Sequence, residues 1–139
     1  MIIFNYETPF ELENEERYEN WLEAVIESEG FMTGELNYIF CDDTYLHEIN
    51  VKYLDHDTYT DIISFDYTEG QIVSGDIFLS IERVRENAIE FGVGFDEELL
   101  RVMVHGVLHY IGFKDKTDEQ AALMRSKEEE KMRMFHVEQ

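Results

Sequence analysis

The sequence predicts a single α+β domain over residues 1–139, built from one four-stranded sheet packed with about five helices. The chain has the length of one ordinary domain, and no repeat, linker or low-complexity tract divides it. Four short segments alternate apolar and polar residues, as strands do, and five longer segments carry apolar residues at helical spacing. Because strands and helices follow one another in mixed order, the pattern favours one sheet covered by helices.

The first half of the chain contains two predicted strands and two predicted helices. Residues 1–6 and 34–40 have the alternating pattern typical of strands. Residues 14–28 carry aromatic and aliphatic side chains at helical spacing, so they predict the first helix. A second helix, capped by Asp42 or Asp43, follows the second strand.

The middle of the chain predicts a β-hairpin followed by a helix. Residues 60–67 and 75–79 are the third and fourth strands, and a glycine-containing turn between them favours an antiparallel pair. Ser80 is the predicted N-cap of a third helix, which ends at Gly92.

The last third of the chain predicts two more helices. Asp96 is the predicted N-cap of the fourth helix, which ends at Gly112. Residues 117–120 read Thr-Asp-Glu-Gln, the pattern of a capping box, and begin a last helix that extends to about Phe135.

Composition excludes several classes of protein and predicts a cytoplasmic one. The single Cys41 excludes a disulfide framework and a multi-cysteine zinc site, and we expect it to be a small buried side chain. We expect neither a signal peptide nor a membrane partner, because no basic start or long apolar run is present.

The net charge of −21 argues against general affinity for nucleic acid, and we expect no DNA partner. This charge is unevenly placed: it is −12 over residues 1–50, −9 over residues 51–100 and zero over residues 101–139. An anionic partner is therefore expected to meet the last third of the chain.

The strongest chemical signal is a histidine pair at the end of the fourth predicted helix. His105 and His109 lie one turn apart on one helix face, and Gly112 can reverse the chain so that Asp115 returns as a third ligand. Two imidazoles and a carboxylate favour one Zn²⁺ ion, or another divalent metal, and leave a fourth position for water. Either His47 or His56 could replace Asp115 if the turn points elsewhere.

On a helical wheel, the two histidines lie off the face that is predicted to pack in the core. The histidines point away from the predicted core stripe, so they can open into a cleft. Gly106, beside His105, is expected to let a substrate or another backbone approach. The spacing is zincin-like, but Gly106 stands where zinc proteases have their catalytic glutamate, so peptide hydrolysis lacks its usual base. The core stripe comprises Leu100, Met103, Val104, Val107 and Ile111.

The motif resembles the signature of the YbeY family of metal-dependent endoribonucleases. Residues 105–109 (His-Gly-Val-Leu-His) followed by Gly-Phe carry the resemblance, and residues 50–53, 60–65 and 75–77 match further blocks in the same order. The resemblance implies a mixed four-stranded sheet with helices, a zinc-like ion and a single-strand-specific endoribonuclease acting in ribosomal RNA processing and ribosome maturation. It implies ribosomal RNA or ribosomal particles as partners, with a ribosomal protein as a further candidate.

Three positions depart from the family pattern. Asp115 replaces the family's third histidine, Leu54 replaces an arginine and Tyr59 replaces a proline. A carboxylate makes the ion a weaker Lewis acid and leaves room for other divalent metals. The missing arginine removes an expected phosphate contact, so the departures affect catalytic rate more than fold.

The implied reaction is metal-assisted phosphodiester hydrolysis, which needs a base and positive charge near the ion. Asp61, Asp66 and Asp76 are candidate bases, although each also fits a turn or cap carboxylate. The candidate RNA contacts are Lys52, Ser64, Phe65, Arg101, Lys114 and Lys116. Arg101 fits an ion pair with Glu97 or Glu98 equally well.

Two other functions remain as hypotheses. The alternative function is a non-catalytic ribosome-assembly factor with a structural metal, and a small-molecule hydrolase is a third, weaker hypothesis.

Overall fold

The computed structural model describes residues 1–54 and 60–137, which form the predicted α+β domain. The alternative ligand His56 and the loop residue Tyr59 lie outside these described residues. Within them, no helix combines the length and the apolar character needed to cross a bilayer. In chain order the elements are β1 (Ile2–Tyr6), α1 (Glu15–Ser28), β2 (Met32–Cys41), α2 (Asp43–Leu54), β3 (Ile62–Asp66), β4 (Ile72–Ser80), α3 (Ile81–Phe91), α4 (Phe95–Ile111) and α5 (Asp118–Val137).

The sheet is mixed, as predicted, and its strand order is β1-β2-β4-β3. The β1–β2 and β2–β4 pairs are parallel, whereas β3 runs antiparallel to β4 and forms one edge. The fourth strand begins at Ile72, three residues before its predicted start, because it pairs with the long β2 from Met32 onward. The antiparallel β3–β4 pair, joined by the glycine-containing turn, is the predicted hairpin.

The two faces of the sheet carry different helices. Leu36, Tyr38 and Phe40 alternate along β2 and are fully buried in the main core, which α1, α4 and α5 cover. The other face carries α2 and a smaller core that includes Leu46 and Cys41. Burial raises the pKa of the Cys41 thiol to about 12, so this cysteine is a buried apolar side chain and not a nucleophile.

Capping residues in the sequence determine where most of the described helices begin. The side chains of Asn14 and Ser80 accept hydrogen bonds from the first turns of α1 and α3. Thr117 and Gln120 exchange reciprocal hydrogen bonds of 3.1 and 3.2 Å, which confirms the capping box of α5. The prediction for Asp96 was wrong: Gly94 is the N-cap of α4, and Asp96 lies inside the first turn, where its charge favours the helix dipole.

Helix α4 packs directly on the sheet through Gly106. A Cβ atom at Gly106 would lie 2.9 Å from Ile77 Cδ1 and 3.2 Å from Ile62 Cδ1. The missing side chain therefore admits the sheet rather than a substrate or another backbone, contrary to the expectation from the sequence. Four of the five predicted core-stripe residues are buried, and Ile111, at the helix end, is partly buried. The absence of a side chain at Gly106 therefore allows α4, which carries both histidines, to pack closely on β3 and β4.

Candidate metal centre

The C-terminal end of α4 builds the site locally. His105 and His109 lie one turn apart, and the helix ends at Gly112, which adopts a left-handed conformation with φ of 118°. The backbone N–H groups of Gly112 and Phe113 both donate to the Leu108 carbonyl, which reverses the chain. Asp115 then returns to the two histidines, as the spacing predicted.

Three ligand atoms converge on one point. The Nε2 atoms of His105 and His109 lie 2.9 Å apart, and Oδ2 of Asp115 lies 3.3 and 3.4 Å from them. Ligand atoms about 2.1 Å from a tetrahedral zinc ion are separated by about 3.4 Å. The two distances to Asp115 match this spacing, and the distance between the histidine nitrogens is shorter. All three side chains keep partial exposure, between 21% and 40%, so water or substrate can reach the point.

The outer nitrogens of both rings favour a cation at the centre. Nδ1 of His109 lies 3.0 Å from the Phe113 carbonyl oxygen, which can only accept, so this nitrogen carries the hydrogen. Nδ1 of His105 lies 2.6 Å from a carboxylate oxygen of Glu128. When both rings are neutral, their Nε2 lone pairs point at each other and at Asp115, an arrangement that a bound cation stabilises.

Glu128 is the site residue that the sequence analysis missed. It lies on α5, is 5% exposed, and its second oxygen Oε1 accepts a hydrogen bond of 3.1 Å from Nη1 of Arg101. A signal was present in the sequence, because Glu128 occupies the apolar stripe of α5 between Met124 and Met132. A carboxylate in such a stripe needs a buried partner, and here it has two.

Several acidic groups surround His105. Burial alone lowers the pKa of His105, but the hydrogen bond and charge of Glu128, with the charges of Asp115 and Asp61, raise it above its ordinary value. Glu98 is nearly fully buried, and burial raises the pKa of its carboxyl. The surroundings are thus suited to cations and not to an isolated anion.

A pocket of about 160 Å³ opens beside His105 and contains Asp61. The side chain of Asp61 accepts a hydrogen bond of 3.3 Å from Asn87, and burial raises the pKa of its carboxyl. Glu98 and Arg101 line the same pocket. Of the three candidate bases, Asp61 is therefore the one that the structure brings to the histidines.

The candidate site residues on β3 and β4 lie on two different faces of the sheet. Ser64 pairs with Ile77 and shares its face, toward α4. Phe65 and Asp76 face the opposite side, where Phe65 contacts the rings of Tyr53 and Phe78. The structure therefore brings Ser64 to the side of the histidines and does not bring Phe65 or Asp76 there.

The remaining charged candidates lie at the surface. Lys114 and Lys116 are exposed and flank Asp115 in the chain. Lys52, on α2, is exposed and its ammonium lies 5.2 Å from the centroid of the Tyr53 ring. Asp66, the last residue of β3, is exposed and accepts a 2.9 Å hydrogen bond from the backbone N–H of Thr68. Of these four, Lys114 and Lys116 are the ones adjacent in the chain to a candidate metal ligand.

Arg101 forms the ion pair with Glu98 that the sequence offered as its alternative, and His47 lies away from the histidine pair. Arg101 pairs with Glu128, at 3.1 Å, and more distantly with Glu98, at 4.0 Å. His47 lies on α2, on the opposite face of the sheet from α4. Within the described ranges, the group able to hold a metal comprises His105, His109 and Asp115.

Three comparisons relate this chain to known proteins. A family model described as Endoribonuclease YbeY matches residues 3–136. Curated proteins named Endoribonuclease YbeY from Flavobacterium johnsoniae and Flavobacterium psychrophilum are 66% and 63% identical to this chain; each alignment spans the whole chain, with 100% and 99% of the two relatives covered. A Thermotoga maritima protein, solved in solution, superimposes with a TM-score of 0.69 at 29% identity, over 99% of this chain and 91% of that one.

Proposed function

The chain belongs to the endoribonuclease YbeY family, and from this premise we propose that it hydrolyses single-stranded ribosomal RNA during ribosome maturation in the cytoplasm. An endoribonuclease is a hydrolase acting on RNA, so the chain is an enzyme. The observation that carries the proposal is the convergence of His105, His109 and Asp115 on one partly exposed point. The names of its relatives do not favour a non-catalytic assembly factor.

The proposed cofactor is one Zn²⁺ ion per chain, held by His105, His109 and Asp115. The donor set of two imidazoles and one carboxylate suits zinc, although it also admits other divalent metals. When bound, such an ion supplies Lewis-acid polarisation of a phosphoryl oxygen and lowers the pKa of a water molecule. Partial exposure of all three side chains leaves room for that water and for the scissile phosphate.

The residues around this point have separate roles, as a base and as contacts for the RNA. We assign Asp61 as the base that accepts a proton from the attacking water, because it lies in the pocket beside His105 and burial raises the pKa of its carboxyl. Lys114 and Lys116 are exposed beside Asp115 and attract the RNA phosphates. Ser64, on the same face of the sheet as α4, is a further candidate contact.

In this proposal, residues on the other face of the sheet bind the RNA that flanks the cleavage site. Lys52 neutralises a phosphate, and Phe65 stacks on an unpaired base, although its contacts with Tyr53 and Phe78 also fit ordinary packing. Asp66 and Asp76 are not assigned as bases, because neither lies beside His105. Unpaired bases are accessible in single-stranded RNA, which supports the proposed preference for single strands.

The test is cleavage of ribosomal RNA, both free and in ribosomal particles, with and without a chelator. Since the chain carries a net charge of −21, we expect slow cleavage of free RNA and faster cleavage in particles, where a ribosomal protein supplies affinity. Chelation is expected to abolish cleavage, and duplex RNA should resist it. Binding to particles with no cleavage under any condition would favour the assembly-factor alternative.

Restoring the family arginine at Leu54 is expected to accelerate cleavage. Leu54 ends α2 and is 40% exposed, so an arginine there is tolerated and can reach phosphate. One charge-assisted hydrogen bond contributes about 1.5 kcal/mol, so Leu54→Arg should raise kcat/KM roughly tenfold. Leu54→Gln is the uncharged control. Equal rates for the two variants would contradict a phosphate contact at this position.

Replacing Asp115 by histidine is expected to keep the metal and change the preferred ion. Imidazole suits zinc better than it suits manganese or magnesium, so Asp115→His should shift competition titrations toward zinc. The wild-type protein titrated with the same metals is the reference. An unchanged order of preference would remove Asp115 from the set of ligands.

A further inference from the structure

We propose that Glu128 is a positioning residue that holds His105 in the Nδ1–H tautomer, and that Arg101 in turn holds Glu128. The inference rests on the proposed metal function, because the tautomer decides whether Nε2 of His105 is available as a ligand. It concerns this chain's own side chains and is tested without measuring RNA cleavage.

The hydrogen-bond chemistry of the pair leaves one arrangement of the neutral ring. An ionised carboxylate is only an acceptor, so Nδ1 of His105, 2.6 Å from Oε2 of Glu128, must be the donor. The hydrogen is then absent from Nε2, whose lone pair points to Asp115 and His109. The Phe113 carbonyl imposes the same tautomer on His109, so each histidine has its own orienting acceptor.

The position of Glu128 prevents the carboxylate from turning away. Glu128 is 5% exposed and lies on α5 between Met124 and Met132, both of which are buried in the main core. Its two oxygens are used by different partners, Oε1 by Arg101 at 3.1 Å and Oε2 by His105 at 2.6 Å. Rotation of the carboxylate would break both contacts in a buried site, which is costly.

The surroundings of Arg101 favour this positioning role over a phosphate contact. Its side chain is 14% exposed, its Nη1 donates to Glu128, and its Nε faces Glu98 at 4.0 Å. Asp61 lines the same pocket. Three carboxyl groups around one guanidinium leave little positive potential for a phosphate, so Arg101 acts by compensating and orienting Glu128.

Glu128→Gln tests the proposal because it keeps the size of the side chain and removes its acceptor-only character. Arg101 retains the amide oxygen, so the amide NH₂ faces His105 and selects the Nε2–H tautomer. We expect zinc affinity, measured by competition with a chromophoric chelator, to fall roughly 10–100-fold. Glu129→Gln, the next residue on α5 and exposed, removes the same charge and should leave affinity unchanged.

Nitrogen chemical shifts of His105 in metal-free protein give the second readout, at a pH where the ring is neutral. The wild type should show Nδ1–H, and Glu128→Gln should show Nε2–H. The proposal is overturned by Nε2–H in the wild type, or by a Glu128→Gln affinity within about twofold of Glu129→Gln, a change too small for a lost orienting partner. If Glu128→Gln fails to fold, the wild-type tautomer decides the question. Wild-type protein that takes up no zinc would instead overturn the proposed metal function.

Discussion

His109→Ala is expected to abolish tight metal binding and to reduce RNA cleavage by about a thousandfold or more. The variant removes one of three converging ligand atoms and leaves a histidine and an aspartate, which do not hold zinc tightly. Loss of the ion removes several kcal/mol of transition-state stabilisation, and each 1.4 kcal/mol is a factor of about ten in rate. Single-turnover cleavage of ribosomal RNA, with metal content measured on the same samples, checks this result.

The fold should survive this substitution, which keeps the result interpretable. His109 is one-third exposed, and its loss removes one hydrogen bond to the Phe113 carbonyl, worth about 1 kcal/mol. His47→Ala is the matched control, because His47 lies on α2 and was an alternative ligand on sequence grounds. Full cleavage by His109→Ala would reveal a contaminating nuclease, and loss of metal in His47→Ala would move the third ligand to α2.

Trp21→Ala is expected to lower the free energy of unfolding by about 3–5 kcal/mol, a large part of the stability of a domain this size. Trp21 is fully buried, packs edge-on against Phe135 at 5.3 Å and donates a 2.7 Å hydrogen bond to the Lys131 carbonyl. These contacts tie α1 to α5, the helix that carries Glu128. The variant therefore loosens the support of the metal centre as well as the core.

Urea unfolding of wild type and Trp21→Ala measures this effect. Met32→Ala is the control, because Met32 is 64% exposed and its truncation should change the free energy of unfolding by less than about 0.5 kcal/mol. A loss below about 1 kcal/mol for Trp21→Ala would contradict the packing described for α1 and α5.

Features encoded by neighbouring residues were predictable from the sequence. The capping box at Thr117 and the cap at Ser80 each join a side chain to a backbone N–H three residues further on, and both are confirmed. The side chain of Asn14 caps α1 in the same way. The three ligands lie within eleven residues, around a glycine that can reverse the chain, so their meeting could be predicted from spacing. Asp96 failed as a cap because α4 already begins at Phe95, after an N-cap glycine that makes no side-chain hydrogen bond.

Features that depend on packing between distant elements were not predictable in this way. Glu128 reaches His105 only because α5 packs along α4, across 23 residues of chain. Ser64 and Phe65 are neighbours in sequence but face opposite sides of β3, and only the pairing with β4 decides which faces α4. Gly106 contacts Ile62 and Ile77, which the helix pattern alone cannot reveal.

The central claim is that His105, His109 and Asp115 bind one divalent metal ion, and metal analysis of freshly purified protein tests it most directly. The wild type and the double variant His105→Ala/His109→Ala are purified side by side, without added metal, and their metal content is measured by mass spectrometry. The account predicts about one ion per wild-type chain, in keeping with a three-ligand site, and none in the double variant. Equal metal content in the two proteins would contradict it.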